Sequence, residues 1–257
     1  MLLTIDVGNT VINIGLFEDE DLKQHWRIET RRTRTSDEYG VFLSNLTDNF
    51  SAQNKTIEGI IITSVVPPVT TRLMEMAEKF YNLRPYLVQD LMEEIMPIEV
   101  EHREEVGSDR VVNSFIAKEK YGTPAIVIDM GTAVTYDVVS PEGAYLGGVI
   151  SPGLQISMEA LFSRTALLPT IRFKKPPSVL GRKTSHAIQS GLYFGQLSQI
   201  LGVTKSLEEV LDKPAKKILT GGWAKKFHQE DLKDFIIEPN LTLFGLQMIY
   251  SRFCILK

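Results

Sequence analysis

The sequence predicts a mixed α/β fold built as two similar halves, and three observations carry that prediction. The run "LLTIDVGNTVINIGLF" (residues 2–17) is an apolar strand that ends in Asp6, turns through Gly8 and Asn9, and resumes as a second apolar strand. "AIVIDMGTAVTYDVV" (125–139) repeats that order, with Asp129 at the strand end, one apolar residue, Gly131, Thr132 and a further strand. Around each hairpin the remaining apolar runs then alternate between period 2 and period 3.6, the mark of a mixed α/β unit.

In chain order, strands are expected at 2–6 and 11–17, with "HWRI" (25–28) as a third. Thr35 or Ser36 is placed to cap a helix that carries Val41, Phe42, Leu43 and Leu46. "GIIITSVV" (59–66) is a buried strand stopped by Pro67-Pro68, followed by Leu73, Ala77 and Phe80 at helical spacing and the short strand "PYLV" (85–88). The order then resets. After the helix of "SDRVVNSFIAKEKYG" come strands at 125–129, 134–139 and 144–150, and helices at 154–162, 186–201 and 206–212. Strands at 216–222 and 235–238 and a closing helix at 241–253 complete the second half. The expected division is 1–117 and 118–257, two units of ordinary domain size.

The composition is that of a globular protein, 43% apolar and 23% charged. A net charge of −4 argues against nucleic acid or an anionic membrane as the main partner. The single cysteine, Cys254, excludes an internal disulfide framework and reads as a small buried hydrophobe. No run approaches the roughly 18 apolar residues of a membrane span, and the first residues carry no basic leader, so a soluble cytoplasmic protein is expected. The four histidines are scattered, with no metal pair at helical spacing, and the basic run Arg31, Arg32, Arg34 reads as a solvated loop.

A carboxylate at a strand end beside a glycine turn suits phosphate chemistry. Glycine lets backbone N–H groups approach a phosphate, and Mg²⁺ on a polyphosphate is commonly gripped by one or two carboxylates. Two such turns facing one another would hold a nucleotide from both sides, with Thr10 and Thr132 adding hydroxyl donors. "ILTGGWA" (218–224), a strand running into Gly221-Gly222, offers a flat surface for adenine or ribose. The chain has no G-x-x-x-x-G-K-[ST] loop, no G-x-G-x-x-G after a strand and no G-x-S-x-G elbow.

"EVGSDRVVNSFIAKEKYG" (105–122) places an acid at the head of a helix, with Ser108 as the expected N-cap and Asp109 and Arg110 in the first turn. On the residues alone two readings stay open. Either Asp109 serves the helix dipole with Arg110 solvated, or it accepts a hydroxyl proton while Arg110 orients an anionic substrate. The helix N-terminus is expected to depress the pKa of Asp109. A weak base of that kind suits phosphoryl transfer, where positioning carries most of the catalysis.

The ordered run of "DVGNT" (6–10), "RTSDEYG" (34–40), "SVVPPVT" (64–70), "EVGSDRVVN" (105–113), "IDMGTAVTYDVV" (128–139), "KPPSVLGRKTSHAIQSGLYFG" (175–195) and "TGGWA" (220–224) resembles the type III pantothenate kinases of the acetate/sugar kinase, Hsp70 and actin superfamily. The resemblance implies duplicated ribonuclease H-like (actin-like ATPase) domains with an interdomain active-site cleft. It implies ATP-dependent phosphorylation of pantothenate to 4′-phosphopantothenate, the first step of coenzyme A biosynthesis, in a cytoplasmic homodimer.

On that resemblance Asp109 matches the catalytic base, and Gly107, Ser108, Asp109 and Arg110 match the pantothenate-binding segment. Asp6, Val7, Gly8, Asn9, Thr10, Val11, Ile12 and Asn13 match the ATP loop, with Asp6 organising Mg²⁺–ATP. Thr132 matches a further ATP contact, and Gly221 and Gly222 the adenosine-side turn. Asp129 matches the site of a monovalent cation, K⁺ or NH₄⁺. Thr184 matches a residue that reaches pantothenate across a dimer interface. Gly191 and Gly195, four apart on one helix, suit either a dimer seam or close core packing.

The chain departs from the family pattern between 88 and 107, where Val100 stands in place of a tyrosine beside the substrate. Two other functions therefore stay open: a kinase of a different small alcohol, and a non-catalytic regulatory or accessory protein of the same family.

Overall fold

The computed structural model describes residues 1–51, 56–165 and 168–255, with side chains of 48–51 left out of the description. Two compact units make up the chain. The first takes Met1–Pro97, Glu101–Ile116 and the residues from Thr242 onward; the second takes Ile98–Val100 and Ala117–Leu241.

In the first unit, β1 (Leu2–Val7), β2 (Val11–Glu18) and β3 (Asp21–Glu29) form an antiparallel meander. Helix α1 (Ser36–Ser51) leads to β4 (Gly59–Ser64), which pairs parallel with β1, and α2 (Pro67–Met76) leads to the short parallel strand β5 (Tyr86–Leu87). A single turn, α3 (Met92–Ile95), precedes α4 (Ser108–Tyr121). The sheet order is β3-β2-β1-β4-β5.

The second unit repeats the pattern. Strands β6 (Ala125–Met130), β7 (Ala133–Val139) and β8 (Tyr145–Pro152) form the meander, followed by α5 (Leu154–Ser163) and α6 (Thr184–Leu211). Strands β9 (Lys216–Thr220) and β10 (Phe235–Ile237) pair parallel beyond β6, and α7 (Leu241–Ile249) follows. Its order, β8-β7-β6-β9-β10, is the first sheet's order element for element. The fold is a duplicated ribonuclease H-like α/β unit, as expected.

Side-chain alternation fixes what each sheet face does. Leu3, Ile5 and Val7 of β1 join Ile60 and Ile62 of β4 in a core closed by Tyr39, Leu43, Val69 and Leu73 of α1 and α2. Asp6 and its register partner Thr63 therefore lie on the opposite face. In the second unit Ile126, Ile128 and Met130 pack with Tyr193, Leu197 and Ile200 of α6, which puts Asp129 on the corresponding opposite face.

Thr35 caps α1. Its hydroxyl accepts from the Glu38 amide at 3.2 Å while the Glu38 carboxylate accepts from the Thr35 amide at 2.8 Å, a reciprocal capping box. Arg31 pairs with Glu29 at the surface, whereas the Arg34 guanidinium lies over the Tyr39 and Phe42 rings, 5.2 and 5.8 Å from their centroids.

Three sequence expectations change. The two helices expected at 186–201 and 206–212 are one continuous helix, because Ile200, Thr204 and Leu211 stay buried along a single face through Gly202. The division expected at 117/118 leaves the last helix with the second half, yet its contacts belong to the first unit. Phe244 meets Phe17 edge-on at 5.7 Å, Gln247 Nε2 donates to the Asp19 carbonyl at 2.9 Å, and Tyr86 donates to the Cys254 carbonyl at 3.2 Å. Gly191 and Gly195 serve no close packing within the described chain, since nothing lies within 4 Å of where their Cβ atoms would stand. No helix among the described residues is long and apolar enough to cross a membrane.

Candidate active site

The first hairpin turn is closed by Gly8 N–H donating to the Val11 carbonyl at 3.0 Å. Thr30, at the end of the meander, clasps this turn from outside: its hydroxyl donates to the Gly8 carbonyl at 2.7 Å and its amide to the Thr10 carbonyl at 2.9 Å. The carbonyls of Gly8, Thr10 and Val11 are thus bound inward or sideways, and the exposed Asn9 and Thr10 form the tip. Nothing in the sequence pattern marks Thr30, which directly precedes the basic run Arg31, Arg32, Arg34.

Asp6 stands at the base of that turn. Asn13, its register partner across the hairpin, donates to Asp6 Oδ2 at 2.8 Å. Burial pushes the Asp6 carboxyl up to about 7, the nearby charge of Asp109 adds to the rise, and the Asn13 bond opposes it. Asn13, expected as part of the ATP loop, is therefore engaged in holding the carboxylate that the loop presents.

Asp109 comes to the same place on α4. The helix begins at Ser108, and its first backbone bonds run from Arg110 and Val111 N–H to the Gly107 carbonyl, at 3.1 and 3.3 Å. Gly107 is thus the capping residue in place of Ser108. The Ser108 hydroxyl turns instead to Thr63, at 2.7 Å. A Cβ at Gly107 would stand 2.5 Å from Asp109 Oδ1, so only glycine lets the carboxyl fold back over the helix start. There Oδ1 accepts from the Arg110 backbone N–H at 3.0 Å.

The expected depression of the Asp109 pKa is reversed. Burial raises it, and this outweighs the Arg110 backbone bond and the Arg110 charge, both of which pull it down. The local sequence shows the helix end and the neighbouring cation but not the loss of solvent. A raised carboxyl is the stronger base.

In the second unit, the hairpin turn between β6 and β7 is one residue tighter, with Gly131 N–H donating to the Ala133 carbonyl at 3.0 Å. The Thr132 carbonyl accepts from Gly153 at 3.1 Å, which ties the turn to the start of α5. Gly221 closes over Asp129. It adopts φ +89°, and a Cβ there would stand 2.3 Å from Asp129 Oδ1 and 2.7 Å from the Met130 backbone. The turn is held by Trp223 N–H on the Met130 carbonyl at 3.3 Å, and Gly222 is exposed beside it.

Val100 also belongs to this unit. Glu99 N–H donates to the Tyr145 carbonyl at 2.8 Å, which seats Val100 3.6 Å from where a Gly147 Cβ would be. Thr184 is exposed at the first position of α6. The first unit thus gathers Asp6, Asn13, Gly107, Ser108, Asp109 and Arg110. The second gathers Asp129, Gly131, Thr132 and Gly221. Among the described residues no group of three or more His, Cys, Asp or Glu could hold a metal ion.

Comparison with known proteins agrees with this architecture. The chain is similar over nearly its whole length to a structure described as a Baf family transcriptional activator from Campylobacter jejuni, at 17% identity and a TM-score of 0.57, covering 97% of each chain. It is similar to the activator of 2-hydroxyisocaproyl-CoA dehydratase from Clostridium difficile with bound ADPNP, at 12% identity and a TM-score of 0.54, covering 96% of this chain and 91% of that one. The activator component A of (R)-2-hydroxyglutaryl-CoA dehydratase from Acidaminococcus fermentans matches at 14% identity and a TM-score of 0.54, covering 96% and 94%. At these identities the likeness speaks for the fold. The sequence profile of type III pantothenate kinase matches residues 2–206. Because that match spans both aspartate-tipped hairpins and the helix that carries Asp109, the chain is a member of the type III pantothenate kinase family.

Proposed function

We propose that this protein transfers the γ-phosphoryl group of ATP to the terminal hydroxyl of pantothenate, giving 4′-phosphopantothenate in the cytoplasm as the first step of coenzyme A biosynthesis. The observation that carries the reading is the pair of carboxyls, Asp6 and Asp109, gathered in one unit and both raised by burial, in a chain of this family.

Each member of the pair has its own task. Asp109 takes the proton of the attacking hydroxyl, and its raised pKa brings its basicity closer to the working pH. Arg110, Gly107 and Ser108 hold the substrate at the helix head, with Val100 and Thr184 as further substrate contacts. The hairpin from Val7 to Asn13 receives phosphate oxygens on the backbone N–H groups at its tip, and Thr132, Gly221 and Gly222 contact ATP in the second unit. Asp6 fits Mg²⁺–ATP, because a buried carboxyl pushed up to about 7 with one amide donor gains most from a cation. With one or two protein carboxylates, the remaining ligands of Mg²⁺ are phosphate oxygens and water. Mg²⁺ supplies charge neutralisation of the transferring phosphoryl group. Asp129 would hold the monovalent cation, K⁺ or NH₄⁺. The open faces of Gly191 and Gly195 suit the seam of a homodimer.

A coupled ATP assay with pantothenate, with and without K⁺, tests the proposal. Turnover with pantothenate that rises with K⁺ is the expected result. Turnover with another alcohol and none with pantothenate refutes the substrate, and no turnover with any alcohol by a folded protein refutes the kinase.

A further inference from the structure

Asp6 and Asp109 stand on different elements, so their spacing depends on what joins those elements. Thr63 on β4 lies in register with Asp6 on β1 and on the same face of the sheet. It is wholly buried, and its hydroxyl meets that of Ser108, also buried, at 2.7 Å. Ser108 is the residue immediately before Asp109 and the first of α4.

The anchoring end is itself braced. Next to Thr63, the Ser64 hydroxyl accepts from Val66 N–H at 3.1 Å, and the Ser64 carbonyl accepts from Gln89 Nε2 at 2.6 Å. The other end fixes the carboxyl on its helix, through the bare Gly107 and the Arg110 amide. A serine at a helix start ordinarily spends its hydroxyl on the amides of its own first turn. Here Gly107 caps the helix and the hydroxyl is free to tie that helix to the sheet.

We infer that Thr63 is a positioning residue, whose buried bond to Ser108 sets where Asp109 stands relative to Asp6 and to the alcohol it deprotonates. The inference rests on the proposed role of Asp109 as the base. Thr63 touches no reacting atom, and it acts only through the helix head.

The test compares full-length Thr63→Val and Thr63→Ser with the unaltered protein, in steady-state kinetics with Mg²⁺–ATP and pantothenate and in amide hydrogen exchange at Arg110 and Val111. Thr63→Val, of the same shape but without the hydroxyl, is expected to lower kcat by about ten- to a hundredfold, the scale of a ~1 Å misplacement of a reacting group. KM for ATP is expected to stay within about twofold, since the phosphate hairpin does not depend on the bond. Thr63→Ser keeps the hydroxyl and is expected to retain kcat. Faster exchange at the two amides is expected in Thr63→Val and not in Thr63→Ser.

Unaltered kcat in Thr63→Val, or a Thr63→Ser variant as slow as Thr63→Val, overturns the inference. Should Thr63→Val fail to fold, Thr63→Ser still decides, because a lost kcat there means that packing and not the hydroxyl matters. A protein inactive on pantothenate refutes the substrate proposed above. The exchange comparison needs no substrate, and unchanged exchange in Thr63→Val overturns the tie itself.

Discussion

Replacing Asp6 by Asn should make the protein more stable at neutral and alkaline pH while removing its activity. In the folded chain the Asp6 carboxyl titrates near 7, against 3.8 for an exposed aspartate. Between those two values the folded state keeps a proton that the unfolded state has released. Unfolding free energy therefore falls as pH rises through that window, and the loss is complete above the folded pKa. A shift from 3.8 to about 7 corresponds to about 4 kcal/mol, at 1.36 kcal/mol per unit. An asparagine carries no charge at any of these pH values, and its side-chain carbonyl can still accept from Asn13.

Even half of that sum, about 2 kcal/mol, raises Tm by roughly 4–8 °C for a chain of this size. Differential scanning calorimetry of both proteins at about pH 5 and about pH 8, without nucleotide, reads the effect against the linkage relation. The Asp6→Asn variant should melt higher than the parent at the alkaline pH, and the gap should shrink towards the acid end. Parallel melting curves across the window, or a variant less stable at the alkaline pH, would show that Asp6 is not held at a cost in the empty protein. The same variant should lose turnover, because the charge proposed to receive Mg²⁺–ATP is gone.

Asp109→Asn should lower kcat by roughly 10²–10⁴-fold, the range for loss of a general base, with the fold intact by circular dichroism; near-normal turnover removes Asp109 from that role. Gly221→Ala should raise KM for ATP and lower Tm, since the new methyl meets Asp129 Oδ1 at 2.3 Å in a backbone of φ +89°; unchanged KM and Tm would show that the turn moves freely. Thr35→Ala breaks the capping box and should cost about 1 kcal/mol in urea unfolding without changing kcat; a change in kcat instead would tie α1 to catalysis.

What the sequence reveals and what it hides divide along physical lines. The two hairpins are legible because alternating apolar residues and an Asp–Gly turn are local signals, and Ile5, Asp6, Val7 and Gly8 carry them within four positions. The capping box at Thr35 and Glu38 is legible for the same reason. The continuity of α6 is not, because Gly202 and the β-branched Val203 and Thr204 weaken the helix locally while burial of Ile200, Thr204 and Leu211 holds it together. The pKa of Asp109 rises where a helix N-terminus alone would lower it, because the first turn of a helix is visible in the sequence and the loss of solvent around it is not. The Thr63–Ser108 bond joins residues 45 positions apart, and no spacing rule announces it.

The return of α7 to the first unit bears on how the protein is made. Residues 117–241 are contiguous, with only the short segment 98–100 drawn from earlier in the chain, so the second unit takes almost all of its parts from one continuous stretch. The first unit does not. Phe17, the Asp19 carbonyl and Tyr86 wait for Phe244, Gln247 and Cys254, so the surroundings of the first sheet are closed only by residues up to 228 positions further along the chain. Until then its unshielded face is a site where chaperones would engage the nascent chain.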